Sequence, residues 1–523
     1  MIIGIDFGTC FSSIAVMQGL RPVDNIVDDY EQRYANTSLG IPTLFMFSDD
    51  EGKELYGINC LKANPTENPE VIKYMKRKVR EDPENIDRPC PSGGNEYLLR
   101  DVIEKYVSYL IKTVKESAIS NGNFDNTDIE AMTITTPIGI SSGQMMATDY
   151  NRLIKETMVN ITGLPDKDVH IIAEPVAAAI SYLYESDLKK KIDQEQTIMV
   201  FDLGGGTLDV TVVKHNPFAM TYDIVSKEGD LELGGMDWDH ALGQLIMDRI
   251  GIASIEDPIE RGAFWEEMTG LKISLSQRDN DVRILNIGGK RYYGECTREE
   301  FENATSALLS RAAEVVRRSV SDIDGGISSI DKIVLVGGSS NMPQITKMLA
   351  TEFPDFDSEN ILVYRPSKAI ARGAAIYAKL NLSHGSFLPD GPRIRDCTAY
   401  SYGFESHHNG SDELSIYNGI LKGDKFDENR RIHFKSSSFI PRDNSQNAVT
   451  FTIYESQWNG ANSVPGPNKQ LNEEEDDEEY RWMPMGSGET PNGMEVTVQV
   501  PPEYLGRARQ YSVWVIFDLV QRF

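Results

Sequence analysis

A short apolar run that breaks at glycine and then resumes is the clearest hydrophobic pattern in the chain. Residues 198–203 are mainly apolar, three consecutive glycines follow at 204–206, and residues 208–213 are apolar and β-branched with polar residues interspersed. A pattern of this kind predicts a strand, a tight turn and a returning strand. We therefore expect a β-hairpin with a glycine turn.

The turn of this hairpin carries residues suited to an anion and a cation. Glycines accept positive φ angles and let backbone N–H groups approach a phosphate closely. Asp202 and Asp209 flank the glycines, and Thr207 lies within the turn. Two carboxylates beside a phosphate would repel it unless a divalent cation lay between them. Taken alone, the stretch is equally compatible with an ordinary glycine-rich hairpin.

The same pattern occurs a second time at residues 2–16. The matching pairs are Asp6 and Asp202, Gly8 and Gly204, and Thr9 and Thr207. A third apolar run, at 333–336, ends in Gly337, Gly338 and Ser339 and precedes a helix predicted to begin near Pro343. Two copies of one phosphate-facing hairpin indicate two related lobes that close on one nucleotide.

Helical and strand patterns surround these turns. Apolar residues recur at helical spacing over 101–120, and residues 131–136 form a strand pattern that ends at Pro137. Pro175 suits the first turn of a helix and biases Glu174 away from helical angles. The Glu174 carboxylate is therefore predicted at a strand-to-helix junction, where it could also act only as a favourable partner of the helix dipole.

The pattern changes towards the C-terminus. A helix of small residues is predicted over 369–380, and residues 381–395 have the composition of a linker. Beyond residue 397 the hydrophobic pattern predicts β-structure, with strands at 448–455, 495–500 and 511–518. Seven consecutive acids at 473–479 repel one another and predict a solvated loop, with a partner-binding role as the alternative.

Composition excludes several classes of function. The 523 residues carry a formal charge of −28, which argues against nonspecific binding to nucleic acid or to an anionic membrane. We expect neither a signal peptide nor a membrane span, because no basic n-region and no run of 18 apolar residues occurs. The five scattered cysteines predict reduced thiols, a cytoplasmic location and no cysteine-based metal site.

These motifs together resemble the heat-shock protein 70 (DnaK-type) chaperone family, within the wider actin and sugar-kinase fold group. The resemblance is carried by residues 6–9, 133–137, 172–179, 201–209, 233–239, 333–339 and 372–375. It covers about the first 385 residues well and is faint beyond them. It implies an α/β fold: two actin-like, ribonuclease H-like nucleotide-binding lobes and a β-sandwich-like C-terminal domain.

The resemblance also implies domain boundaries and bound molecules. The expected domains are lobe I at 1–185, lobe II at 186–383, a linker at 384–396 and a β-rich peptide-binding domain at 397–523. ATP or ADP, Mg²⁺ and K⁺ are the implied cofactors. Unfolded or extended polypeptide and cochaperones are the implied partners.

Individual residues take roles from the same resemblance. Catalytic roles are implied for Asp6, Lys76, Glu174, Asp202, Thr207 and Asp209. Nucleotide contacts are implied for Gly8, Thr9, Cys10, Gly204, Gly205, Gly206, Gly234, Lys272, Ser276, Gly337, Gly338 and Ser339. Asp6, Glu174 and Asp202 would hold Mg²⁺ mostly through water, and Lys76 would reach the transferred phosphate. Pro137 is either a hinge or simply the end of a strand.

Several positions depart from the family pattern. Ile273 and Asn341 stand where family members commonly have the two arginines that hold adenine, and Thr269 replaces a glutamate. Loss of two stacking cations predicts weaker or less base-selective nucleotide binding. The linker lacks the usual leucine-rich segment, and no helical lid pattern follows the last strand. This linker therefore does not predict the family's usual allosteric coupling between the domains.

The leading interpretation is a divergent, lidless chaperone-type ATPase whose C-terminal domain binds extended polypeptide. One alternative is a nucleotide-dependent adaptor or switch for a single dedicated partner. A small-molecule kinase on the same fold is the other alternative, because a fold does not fix a function.

Overall fold

The structure is a computed structural model of the chain, and it describes most of the first 382 residues and shorter segments beyond them. The described residues are 1–24, 40–48, 52–62, 71–81, 87–120, 128–137, 147–188, 194–219, 221–321, 323, 325–357, 359–382, 393–395, 397–398, 401–407, 414–421, 423–425, 431–435, 448–456, 467–470, 483–484, 494–499 and 514–518.

Strands and helices are numbered in chain order. The strands are β1 Ile2–Asp6, β2 Phe11–Gln18, β3 Arg21–Asp24, β4 Ile41–Pro42, β5 Phe45–Ser48, β6 Lys53–Tyr56, β7 Pro89–Ser92, β8 Asn95–Leu98, β9 Ala131–Thr136, β10 Val169–Ala173, β11 Gln196–Leu203, β12 Leu208–Asn216, β13 Thr221–Asp230, β14 Asn280–Ile287, β15 Lys290–Thr297, β16 Lys332–Val336, β17 Ile361–Val363, β18 Arg393–Arg395, β19 Ser401–His407, β20 Leu414–Ile420, β21 Arg431–Lys435, β22 Ala448–Ser456, β23 Pro467–Gln470, β24 Met483–Pro484, β25 Met494–Gln499 and β26 Trp514–Asp518. The helices are α1 Ile58–Lys62, α2 Met75–Glu81, α3 Leu99–Ser120, α4 Ala147–Thr162, α5 Glu174–Leu188, α6 Gly235–Ile250, α7 Pro258–Leu275, α8 Arg298–Ala304, α9 Ser306–Ser321, α10 Pro343–Glu352 and α11 Ala369–Leu380.

Two sheets with the same strand plan form the centre of the fold. In the first, the antiparallel strands β1, β2 and β3 are extended beyond β1 by the parallel strands β9 and β10. In the second, β11, β12 and β13 are antiparallel, and the parallel strands β16 and β17 extend the sheet beyond β11. This repeat confirms the predicted duplication of an actin-like, ribonuclease H-like lobe.

Helices α5 and α11 pack between the two sheets. Their alanines share one buried cluster with residues from both sheets, including Ile2 of β1 and Val200 of β11. The packing is close because small residues face each other: a Cβ on Gly373 would lie 1.6 Å from the Ala177 carbonyl oxygen. The predicted small-residue helix at 369–380 is confirmed with the same bounds.

The predicted elements around the glycine turns are confirmed with small shifts. Both hairpins form, and Asp202 lies directly opposite Asp209 in the β11–β12 ladder. Strand 131–136 is found with the predicted bounds, and helix 101–120 begins two residues earlier, at Leu99. Pro137 follows β9, and no observation tests its role as a hinge.

The C-terminal part is β-rich in the segments that the structure describes. One sheet has the order β23-β20-β19-β22-β24 with β25 also paired to β22, and β21 pairs separately with β26. The predicted strands near 448, 495 and 514 are therefore present. The acidic run at 473–479 and residues 511–513 lie outside the described residues.

A short strand, β18, lies between lobe II and the β-rich C-terminal part of the chain. Strand β18, from the predicted linker, pairs in parallel with β13 of lobe II and places Ile394 opposite Tyr222. Lys227 on β13 also donates a hydrogen bond to the Cys397 carbonyl oxygen at 3.1 Å. Residues 384–392 and 396 of the linker lie outside the described residues, and the domain boundaries stay predictions.

In the part of the chain that the structure describes, no helix combines the length and the apolar character needed to span a membrane.

Candidate functional site

The two hairpin turns predicted to bind phosphate lie against each other. A Cβ on Gly205 would lie 2.6 Å from the Cys10 sulfur, and one on Gly206 would lie 2.8 Å from the Thr9 hydroxyl oxygen. These distances are shorter than real Cβ contacts, so a side chain at either position would require Cys10 or Thr9 to move. The turn of lobe I therefore faces the turn of lobe II, as their sequence repeat predicts.

The third glycine turn, at 337–338, closes the site from the side of β16. Gly337 has φ +78°, and a Cβ there would lie 2.5 Å from the Asp202 carboxylate. The Ser340 hydroxyl accepts a hydrogen bond from the Leu203 amide at 3.1 Å and donates one to the Val336 carbonyl at 2.5 Å. These bonds fix the turn at the end of β11, next to Asp202.

Helix α6 begins on the glycine turn of lobe II. The Gly235 amide donates to the Gly204 carbonyl at 2.9 Å, and the Met236 amide donates to the Gly205 carbonyl at 2.8 Å. A Cβ on Gly234 would lie 2.4 Å from the Gly206 backbone. The contact between this turn and the start of α6 therefore requires glycine at 234, because the Gly206 backbone occupies the place of a side chain.

Four buried acids and one buried lysine meet beside these turns. Asp6 ends β1, Glu174 begins α5, and Asp202 and Asp209 lie on paired positions of β11 and β12. All four acids are buried, and so is Lys76, at 1% exposure. Lys76 and Glu174 form an ion pair. The structure therefore brings together the predicted catalytic residues, which come from four separate stretches of the chain.

Two of the acids, Asp6 and Asp202, have raised pKa values. Burial, and next the charge of Glu174, raise the pKa of Asp6 to about 8, although Lys76 opposes the shift. Burial and the charges of Glu174, Asp209 and Asp6 also raise the pKa of Asp202 well above its usual value. Such shifts are expected where carboxylates are buried close to one another.

The site has features that fit a hydrated divalent cation. The Asp202 Oδ2 atom is buried and accepts no hydrogen bond from the described residues. A buried carboxylate oxygen is expected to have a partner. Among the residues that the structure describes, no three His, Cys, Asp or Glu side chains are arranged to ligate a metal directly. Binding through water, as predicted for Asp6, Glu174 and Asp202, is compatible with this arrangement.

Lys272 lies on the lobe II side of the turns, on helix α7. Its ammonium group donates to the Gly235 carbonyl at 2.8 Å and pairs with Asp239 at 2.9 Å. The Thr269 hydroxyl donates to the other Asp239 oxygen at 2.9 Å. By contrast, the Ser276 hydroxyl donates to the Lys272 backbone carbonyl at 3.0 Å. The structure places the Lys272 ammonium beside the Gly234–Gly235 turn, while the Ser276 hydroxyl bonds back to the last turn of α7. The nucleotide contacts predicted for both residues stay predictions.

Sequence reasoning did not single out Asp239 as a site residue. It is the last residue of the 233–239 motif, so the motif itself contained the signal. The structure also shows that the departure at Thr269 is accommodated, because its hydroxyl holds Asp239. Cys10 lies at the turn as predicted, and burial raises the pKa of its thiol to about 11, so it is a neutral side chain at physiological pH.

We expect Gly205→Ala to weaken nucleotide binding at least about tenfold, because its methyl group would push against Cys10 and separate the two turns. Isothermal titration with ATP measures the loss. A second change, Cys10→Gly, removes the opposing sulfur and should restore part of the affinity. Unchanged affinity in Gly205→Ala would show that the two turns do not act together.

The comparisons with known proteins agree with this geometry. A family model described as "Hsp70 protein" matches residues 108–460, which is more than half of the chain. The chain belongs to the Hsp70 family.

Relatives of this Hsp70 protein include two proteins named "Chaperone protein DnaK", from two strains of Halobacterium salinarum. Each is 28% identical to the chain over 387 residues. The match covers 72% of this chain and 55% of each relative. The chain thus spans about half the length of the curated relatives it matches.

Proposed function

We propose that this Hsp70 protein binds ATP with Mg²⁺ between its two lobes and hydrolyses it slowly. One observation carries the proposal: the glycine turns of both lobes converge on a buried acidic cluster with one paired lysine. Glycine turns offer backbone N–H groups to phosphates, and the acids offer charge to a cation. Neither a purely structural core nor a peptide site accounts for four buried acids together.

In this mechanism the protein acts mainly by positioning and by charge stabilisation. Asp6, Glu174 and Asp202 would hold Mg²⁺ through its water, and the cation would neutralise charge on the β- and γ-phosphates. Asp209 would help to orient the attacking water. Lys76 would leave Glu174 for the transferred phosphate, where its charge stabilises the developing negative charge.

Hydroxyls and amides complete the phosphate site. Thr9 and Thr207, both buried, lie at matching positions of the two turns and would donate to the γ-phosphate region. The amides of Gly8 and Gly205 would face the phosphates, while the Gly204 amide donates to the Thr207 carbonyl at 3.0 Å and shapes the turn. Gly338 and Ser339 would approach from the third turn. K⁺ is compatible with the same oxygen-rich site and is proposed only from the family resemblance.

Binding of the base is proposed to be weak or unselective, because Ile273 and Asn341 stand where family members commonly have the two arginines that hold adenine. Ile273 is 36% exposed, and the exposed Asn341 donates through its amide to the Gly338 carbonyl at 3.0 Å. Neither residue carries a positive charge that could stack on a purine. ATP and GTP are therefore expected to bind with dissociation constants within about tenfold of each other.

We expect Ile273→Arg to strengthen ATP binding about tenfold, because a guanidinium group on this exposed position can stack on adenine. Ile259→Arg is the matched control, since Ile259 lies on the same helix with 37% exposure. Titration with ATP and with GTP measures both affinities. Strong ATP selectivity in the unmodified protein would contradict this account of the base site.

The C-terminal β domain is proposed to bind extended polypeptide, by strand addition to a sheet edge. A dedicated protein partner is the alternative proposal. Strand β18 gives a physical connection between this domain and lobe II, because it extends the lobe II sheet. Nucleotide state and polypeptide binding can influence each other only through such a connection.

Single-turnover ATP hydrolysis tests the proposal in the full chain, with and without a library of extended apolar peptides. We expect hydrolysis that is lost in Asp202→Asn and retained in Asp248→Asn, whose carboxylate is exposed on α6. Acceleration by peptides would support the chaperone cycle. Asp202-dependent hydrolysis that no peptide changes would favour the dedicated-partner switch, and absence of hydrolysis would overturn the ATPase proposal.

A further inference from the structure

Residues 41–43 lie against the phosphate turn of lobe I, the turn between β1 and β2. Strand β4 pairs antiparallel with the first residues of β2. A Cβ on Gly40 would lie 2.7 Å from the Ser12 carbonyl oxygen, so this segment approaches β2 closely. Thr43 follows β4 directly and is completely buried, at 0% exposure. A threonine hydroxyl that is removed from water needs hydrogen-bond partners.

Thr43 finds these partners in the turn itself. Its hydroxyl donates to the Gly8 carbonyl at 2.9 Å, and its amide donates to the Cys10 carbonyl at 2.9 Å. The Ser12 hydroxyl lies 2.9 Å from the Thr43 hydroxyl. Because Thr43 directs its proton to Gly8, Ser12 is the donor in this pair. One buried residue thus holds the carbonyl groups on both sides of Thr9.

The direction of a carbonyl decides the direction of the next amide. In a trans peptide the C=O group and the following N–H group point in opposite directions. The described residues contain no cis peptide bond. The bond from Thr43 to the Gly8 carbonyl therefore makes the Thr9 amide point away from residues 41–43. Thr43 in this way fixes the orientation of a residue proposed to contact the γ-phosphate region.

Lobe II holds the matching carbonyl with a different donor. Gly204, which matches Gly8 in the sequence repeat, accepts a hydrogen bond through its carbonyl from the Gly235 amide at 2.9 Å. In lobe I the donor is the Thr43 hydroxyl. The corresponding carbonyl is therefore held in both lobes. A side-chain hydroxyl can be removed by substitution, so the effect of this bond can be measured in lobe I.

Helix α3 holds the segment that carries Thr43. The Tyr106 hydroxyl donates to the Pro42 carbonyl at 3.0 Å, and Tyr106 is fully buried. The Tyr106 ring also contacts the ring of Phe7, with 6.1 Å between the ring centroids. Phe7 directly precedes Gly8. The turn and the segment beside it are thus packed against the same helix, as a rigid support for a binding site requires.

We propose that Thr43 is a positioning residue for phosphate binding, whose hydroxyl holds the lobe I turn in the form that receives the phosphates of ATP. This inference rests on the proposed nucleotide-binding function. Thr43 is fully buried and acts through the turn, so it contacts neither the nucleotide nor the cation. Without the hydroxyl, the peptide group between Gly8 and Thr9 can rotate. The loss should therefore appear in ATP binding and in hydrolysis.

Thr43→Val tests the proposal, because valine removes the hydroxyl and keeps the branched shape. Isothermal titration with ATP and Mg²⁺ and single-turnover hydrolysis measure the effect in the full chain. We expect ATP to bind about tenfold more weakly and hydrolysis at saturating ATP to be about tenfold slower. Thr43→Ser keeps the hydroxyl and should leave both values within about twofold of the unmodified protein. Thr43→Ala gives the same comparison if valine prevents folding.

A purely structural role would lower stability without changing ATP binding in the folded protein. Urea unfolding of each variant measures stability separately. Ser319→Ala is the control, since Ser319 is fully buried on α9 and its hydroxyl donates to the Val316 carbonyl at 2.7 Å. This change also deletes a buried bond from a hydroxyl to a carbonyl, but outside the candidate site. ATP affinity should stay within about twofold in this variant.

Each result has a distinct meaning. Unchanged ATP affinity and hydrolysis in folded Thr43→Val or Thr43→Ala, while the unmodified protein binds ATP, would overturn the role of Thr43. A loss in Thr43→Ser as large as that in Thr43→Val would overturn it as well, because the hydroxyl would then not be the cause. An equal loss of affinity in Ser319→Ala would show a general effect of stability and would also overturn it. Failure of the unmodified protein to bind ATP would instead overturn the proposed nucleotide-binding function.

Discussion

Lys76→Met is expected to remove ATP hydrolysis and to lower the free energy of unfolding by about 3 to 5 kcal/mol. The substitution keeps the length of the side chain but removes the charge that pairs with Glu174 in a buried environment. A buried carboxylate without its partner is strongly unfavourable. Hydrolysis should fall at least about 100-fold, since the transferred phosphate loses its cationic partner. Single-turnover kinetics and urea unfolding measure the two effects.

A second substitution separates the two consequences. Lys76→Met combined with Glu174→Gln removes both charges, so most of the lost stability should return while hydrolysis stays absent. Lys78→Met, on the same helix α2, is the control and should change neither property strongly. If the double variant were no more stable than Lys76→Met, the ion pair would not be the source of the instability.

Asp6→Asn is expected to stabilise the nucleotide-free protein increasingly as the pH rises from 6 to 8, and to remove hydrolysis. The pKa of Asp6 is raised to about 8 in the folded protein, against 3.8 for an unperturbed aspartate. Between these values the folded protein keeps a proton that the unfolded chain has released. The unmodified protein therefore loses stability as the pH rises through this window, by about 2 kcal/mol between pH 6 and 8.

Asparagine does not titrate, so the variant should escape this loss. Urea unfolding of both proteins at pH 6 and pH 8, without Mg²⁺ or nucleotide, measures the difference. Asp248→Asn is the control, because an exposed carboxylate has no comparable effect. A stability difference between Asp6→Asn and the unmodified protein that stays constant from pH 6 to pH 8 would contradict the raised pKa of Asp6.

Local sequence patterns predicted most elements of the two lobes. Glycine turns between apolar runs gave the two hairpins, because hairpin formation depends on residues close together in the chain. Asp6 and Thr9 occur in the first hairpin in the same order as Asp202 and Thr207 in the second. This repeat predicted two related lobes, and the two sheets with the same strand plan confirm them. Pro175 likewise predicted where α5 begins, and the small residues at 369–380 predicted helix α11.

The contacts between distant stretches could not be derived in the same way. Lys76 and Glu174 are 98 residues apart, and Lys73 reaches Glu266 across the two lobes. Family resemblance assigned Lys76 a role, but no local pattern shows which acid pairs with it. The basic run at 73–80 is compatible with a solvated helix. Burial of Lys76 follows only from tertiary structure, in which α2 contacts α3 and Lys76 pairs with Glu174 of α5.

The sequence by itself determined the two glycine hairpins, their repetition and the residues with the chemistry to bind a nucleotide. It could do so because turn geometry and residue chemistry are local properties of the chain. Only the tertiary structure decided that Cys10 lies against Gly205, that Asp239 pairs with Lys272, and that Tyr74 adopts a positive φ angle. These features depend on how separate elements pack, and packing is set by the shape and burial of both lobes together.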